Sequence, residues 1–134
     1  MGTVTLRREG FAAAVDAEGI VLVDFRAATS GSSRAFSSVF DATAGRYPGL
    51  LFAAVDAEAE ALLAAEVGVR SVPTLMVYRD GVLVFAEPGW LPADSVDLLI
   101  ATVRELDMAA VRETFPDPPA RTSAGGGSGG PSTG

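Results

Sequence analysis

The chain has 134 residues, enough for one domain and too few for two, and its 49% apolar and 20% charged residues are ordinary globular composition. It contains no cysteine, histidine or lysine, which excludes disulfides, thiolate chemistry, sulfur-bound metal, imidazole proton transfer and Schiff bases, and so argues against an enzyme and against a bound cofactor. A net charge of −7 makes nucleic acid and anionic membrane surfaces poor partners.

The start, Met1 to Phe11, carries Arg7, Arg8 and Glu9 and no long apolar run, so no targeting segment is expected and the default compartment is the cytoplasm. Val4 to Leu6 is a short strand candidate. Arg8 to Ala17 reads as a helix with Phe11, Ala14 and Val15 on one face, closed by Gly19. Ile20 to Phe25 is a continuous apolar run holding one carboxylate, Asp24, the mark of a strand buried on both faces. Thr29-Ser30-Gly31-Ser32-Ser33 then breaks the pattern and supplies N-cap hydroxyls. The next helix carries Phe36, Phe40, Ala44 and Tyr47 and stops near Pro48-Gly49.

Leu50 to Val55 is a second buried strand. Ala57 to Val67 reads as a helix with Ala61, Leu62, Ala65 and Val67 turned inward, ended by Gly68. Thr74 to Arg79 and Val82 to Glu87 are strands joined by Asp80-Gly81, a strong hairpin signal. Pro88-Gly89 turns the chain into a last long helix, Pro92 to Leu106, with Val96, Leu99, Ile100 and Val103 as its core face. Met108 to Phe115 adds a short helix. From Pro116 the sequence is rich in Gly, Ser and Pro without apolar periodicity, so residues 1–115 are expected to form the domain and 116–134 a disordered tail. The order of elements predicts an α/β domain, a central mixed sheet of about five strands with helices on both faces.

Val23-Asp24-Phe25 before a loop that opens a helix, Val69-Arg70-Ser71-Val72-Pro73-Thr74 before a strand, and Asp80-Gly81-Val82-Leu83 followed by Gly89 together resemble the thioredoxin family. The spacing holds from about Thr3 to Leu106. The resemblance implies the thioredoxin fold and a Trp-Cys-Gly-Pro-Cys motif where this chain has Thr29-Ser30-Gly31-Ser32-Ser33. Only Gly31 matches. Ser30 takes the place of the attacking cysteine and Ser33 that of the resolving one. Arg26 stands where an aromatic residue usually follows Asp-Phe, and Ser38 where a proline bends the helix. Disulfide exchange needs a thiolate that attacks sulfur and leaves as thiolate, and a pair of serines cannot cycle in that way.

The resemblance further implies that Pro73 is a cis-proline, that the Val72 backbone borders a peptide groove, and that Asp24 is a remnant of proton transfer to the resolving cysteine. Burial should raise the pKa of Asp24, with Ser33 or a trapped water as its partner. Ser30 and Ser33 are expected to cap the helix. Trp90, the single tryptophan, is read evenly as an exposed contact residue or as packed under the last helix. Arg26 and Arg34 are expected to bring positive charge to the loop.

Three functions stay open. The favoured one is a redox-inactive module that binds a protein or extended peptide through Arg26, Thr29 to Ser33, Val72, Pro73, Gly89 and Trp90. The second is a small-thiol or glutathione-type ligand site on Ser30, and the third a structural role alone.

Overall fold

The computed structural model describes residues 2–114; the tail expected from residue 116 lies outside them. Five strands and five helices follow in order: β1 (Val4–Thr5), α1 (Arg8–Val15), β2 (Ile20–Arg26), α2 (Gly31–Ala44), β3 (Leu51–Asp56), α3 (Ala61–Glu66), β4 (Thr74–Arg79), β5 (Val82–Pro88), α4 (Ala93–Arg104) and α5 (Met108–Thr114). The sheet order is β1-β3-β2-β4-β5. β1 and β2 flank β3 in parallel, whereas β4 pairs antiparallel with β2 and β5 antiparallel with β4, so the sheet is mixed. This is the arrangement the sequence predicts.

The two-residue period of the strands divides the core. Ile20 and Leu22 of β2 join Phe36, Phe40 and Ile100 on the face covered by α2 and α4. Val21, Val23 and Phe25 join Phe11, Val15 and Leu63 on the opposite face, under α1 and α3. Asp24, two residues after Leu22, therefore falls on the α2–α4 face although the strand around it is apolar.

Turns hold the ends together. Asp80 and Gly81 both have positive φ, 53° and 82°, as a tight hairpin turn with the right twist requires. Asp80 N–H donates to the Gly19 carbonyl at 2.8 Å, and the Asp80 carboxylate accepts from Gly19 N–H at 2.7 Å, which binds the β4–β5 turn to the start of β2. At the other end of β4, the Gly89 N–H donates to the Pro73 carbonyl at 2.8 Å.

The third helix departs from expectation. It begins at Ala61 rather than Ala57, because the Asp56 carboxylate accepts from Glu58 and Ala59 N–H and holds residues 56–60 in a turn. Its buried residues are Leu63 and Ala64; Ala61 and Ala65 are exposed and Leu62 is 59% exposed. The last long helix also starts later than expected, with Pro92 as its N-cap. Its core face, Val96, Ile100 and Val103, is as expected, with Leu99 half-buried.

Candidate functional site

Three loops converge at the end of the sheet where β2 stops and β4 begins. The segment Ala27–Ser30 leads from β2 into α2. The segment Val69–Pro73 precedes β4, and Gly89–Trp90 follows β5. The Gly89–Pro73 hydrogen bond joins the last two, and Ala27, Thr29 and Val72 wall the same cavity of about 350 Å³.

The serines where the motif cysteines would stand have structural partners. Ser30 caps α2: its Oγ accepts from Ser33 N–H at 3.2 Å and lies 3.3 Å from Ser32 Oγ. Ser33 is fully buried, and its Oγ accepts from Ala27 N–H at 2.9 Å, tying the loop to the first turn of the helix. Capping is thus the observed role of Ser30 alone; the Ser33 hydroxyl, expected to cap as well, instead binds the loop amide of Ala27. Gly31 and Ser32 are exposed, and Thr29 donates to the Glu58 carboxylate at 2.8 Å.

Asp24 is fully buried, and burial pushes its carboxyl up from the ordinary 3.8 to about 6, against the opposing pull of the Arg26 guanidinium. Its partner is not Ser33, contrary to expectation. Oδ2 accepts from Arg26 Nε at 2.9 Å and from Ser37 Oγ at 3.4 Å, while Oδ1 has no partner among the described residues. Strand geometry is the reason: residues two apart share a face, so Arg26 lies beside Asp24, whereas the Ser33 hydroxyl is turned to the backbone of Ala27.

Arg26 accordingly brings no free positive charge to the loop. Its Nη2 lies 2.9 Å from both Asp24 Oδ2 and Asp41 Oδ1, and its guanidinium sits 5.9 Å from the centre of the Phe40 ring. Arg34 folds back to donate to the Ala28 carbonyl at 2.7 Å. Asp41 and Ser37 were not legible as members of this network, since helical spacing alone does not show which polar residue faces the strand.

Of the other expected groove residues, Gly89 is hydrogen-bonded to Pro73 and Val72 shares a cavity wall with Thr29. The Val72–Pro73 bond is cis. Val72 is half-buried, and its backbone N–H and C=O pair with no other described group. The turn beside it is fixed by the Thr74 hydroxyl, which donates to the Ser71 carbonyl at 2.7 Å. Gly89 has φ of 112°, a conformation that favours glycine, and delivers Trp90 to the surface, 49% exposed. Trp90 is thus exposed rather than packed under the last helix. The remaining walls of the cavity include Ala57, Ala61, Ala65, Val69 and Arg70, none of them expected from sequence to be a site residue.

The thioredoxin family model matches residues 2–102. The chain belongs to the thioredoxin family. It is 41% identical over 111 residues to the protein described as "Putative thioredoxin 2" of Streptomyces coelicolor, with 83% of each chain covered. It is 35% identical over 85 residues to a thioredoxin of Chlamydia muridarum, covering 63% of this chain and 83% of that one. The solved structure of a mutant thioredoxin from Halobacterium salinarum superposes with a TM-score of 0.71 at 27% identity, covering 78% of this chain and 92% of that chain. Within this thioredoxin domain no residue can serve as a redox thiol, because the sequence has no cysteine. Among the described residues no three His, Cys, Asp or Glu side chains are grouped to hold a metal ion, and no helix is long and apolar enough to cross a membrane.

Proposed function

We propose that this thioredoxin domain is a redox-inactive binding module that holds an extended segment of another protein across the rim formed by Val72, Pro73, Gly89 and Trp90. The observation that carries this reading is the pair of open backbone groups on Val72. Neither the N–H nor the C=O of Val72 has a partner among the described residues, and a strand-like peptide supplies a donor and an acceptor at that spacing, as strands added to sheet edges do. Trp90, which follows Gly89 in the chain, adds exposed aromatic area of the kind that anchors interfaces. Thiol–disulfide chemistry has no place in this reading, since Ser30 and Ser33 hold the start of α2 together.

The small-thiol reading finds less support. The Ser30 hydroxyl accepts the Ser33 N–H and keeps its own O–H to donate, with Ser32 Oγ 3.3 Å away, so nothing beyond its position favours such a ligand.

The test is affinity capture from source-cell lysate with the wild-type domain and with Val72→Arg and Trp90→Ala, after circular dichroism shows all three folded. The expected result is a partner held by wild type and lost by both variants. A partner retained by both would remove function from this rim.

A further inference from the structure

We propose that the cavity between β1, the end of β2 and the first turns of α2 is a binding site for a small zwitterion of the amino-acid class. Arg34 takes the carboxylate of the ligand, and the free oxygens of Asp24 and Asp56 take its ammonium. The site shares only Ala27 with the cavity beside Val72 and does not depend on the function given to that rim.

Strand register builds the floor. Asp24 of β2 is in parallel register with Ala54 of β3, and Ala54 with Thr5 of β1, so the three side chains stand in one row on one face of the sheet. The next row on that face sets Arg26 beside Asp56. Between Asp24 and Thr5 the first row holds only the methyl group of Ala54. Arg34 and Ser37 of α2 wall the space above it, and Ala27 and Ala28 wall it from the loop after β2. The opening has about 440 Å³, within the roughly 300–1,000 Å³ of ordinary ligand pockets.

The polar groups around this opening do not satisfy one another. Arg34 donates from Nη1 to the Ala28 carbonyl and pairs with no carboxylate among the described residues, which leaves donors for a bidentate carboxylate. Asp24 is fully buried, yet its Oδ1 accepts from no described group, and a buried ionised oxygen calls for a donor. With a carboxyl that titrates at about 6, Asp24 is an anion at neutral pH. Asp56 spends Oδ1 on the Glu58 and Ala59 amides and leaves Oδ2 without a partner among the described residues. Arg26 does not supply the missing donor, because its guanidinium is held by Asp24 Oδ2 and by Asp41.

These charges select the ligand. A bare anion that reaches Arg34 meets the carboxylates of Asp24 and Asp56, and a bare amine that reaches Asp24 meets Arg34. A molecule with a carboxylate at one end and an ammonium at the other satisfies both ends of the site.

The experiment is an amide NMR titration of the folded full chain near neutral pH. The probes are each standard amino acid in turn, then sodium acetate and methylammonium chloride at the same concentration. At least one amino acid is expected to move the signals of Thr5, Ala28, Arg34, Ser37 and Ala54 saturably, and neither single-charge probe to do so. Arg34→Ala, at an exposed position, and Asp24→Asn should each weaken that binding by about tenfold. Ala54→Leu, which fills the opening from its floor, should abolish it while signals far from the cavity stay in place. Val72→Arg, which alters the rim, should leave it intact. No saturable shift with any amino acid, equal shifts with acetate alone, or binding that survives Ala54→Leu or Asp24→Asn would overturn the proposal, and loss in Val72→Arg would move the ligand out of this cavity and overturn it as well.

Discussion

Arg26 reaches back along its own strand to Asp24, placing Nε and Nη2 each 2.9 Å from Oδ2 of a carboxylate that water does not touch. The same guanidinium holds the exposed Asp41 at 2.9 Å, so one cation is shared between a buried and a solvated anion.

The buried carboxyl makes stability depend on pH in an unusual direction. Its folded-state pKa, about 6, lies above the ordinary 3.8, so folding takes up a proton between those values. The contribution of Asp24 is most favourable below about pH 4, is lost as pH rises through 6, and is level above; the difference corresponds to about 3 kcal/mol. Asp24→Asn should therefore be more stable than wild type at pH 8 and little different at pH 4. Urea unfolding of both proteins across that range checks this, and equal slopes for the two would show that Asp24 is not the titrating group.

Removing Arg26 should act in the opposite sense. Arg26→Ala leaves an ionised Asp24 with only Ser37 as a donor, so at pH 8 the loss should be about 2 kcal/mol and the Asp24 carboxyl should titrate higher still. Most of that loss should vanish once Asp24 is protonated, and in the Asp24→Asn background at any pH. A double-mutant cycle, with the Asp24 carboxyl followed by NMR, reads both effects.

The serines should prove separable by stability and by chemistry. Ser33→Ala strands the buried-side N–H of Ala27 and should cost about 2 kcal/mol, whereas Ser30→Ala removes a helix cap worth about 1 kcal/mol. Ser30→Cys combined with Ser33→Cys puts a thiol at the start of a 14-residue helix, where its pKa falls and thiolate forms. That double variant should reduce a small aromatic disulfide while wild type gives no rate. Inactivity of a folded double variant would mean the loop no longer presents the first position to a substrate.

Arg79 should matter more than its surface position suggests. Its Nη1 lies 2.7, 3.0 and 3.0 Å from the carbonyl oxygens of Val103, Arg104 and Leu106, where α4 ends and leaves carbonyls unpaired. Arg79→Ala should cost about 2 kcal/mol, measured by urea unfolding, with Arg79→Lys recovering part of it.

The order and type of the elements were legible because β2, β3 and β4 are runs of branched and aromatic residues and because Asp80-Gly81 and Gly89 punctuate them. The face of α3 was not. With alanine at 57, 59, 61, 64 and 65 the segment has no single apolar stripe, and the outcome was decided by the Asp56 turn, a contact of a side chain with its own following backbone. At the site, Ser30 was readable as a cap from its place before a periodic segment. The partner of Asp24 was legible in the period of two along β2, which puts Arg26 on the same face, whereas the turn of the Ser33 hydroxyl toward Ala27 N–H has no sequence signal. Arg70 and the alanine cavity depend on how a loop lies against a helix, which no local pattern encodes.

Because the chain has a single tryptophan, and it stands half in water at the rim rather than in the core, its intrinsic fluorescence is a reporter of that one place. Emission from the folded domain should already be red-shifted and should change little when the core melts, so unfolding must be followed by other signals. A blue shift at constant fold then marks a visitor at Trp90, which gives this domain a label-free optical readout of occupancy without any dye or tag.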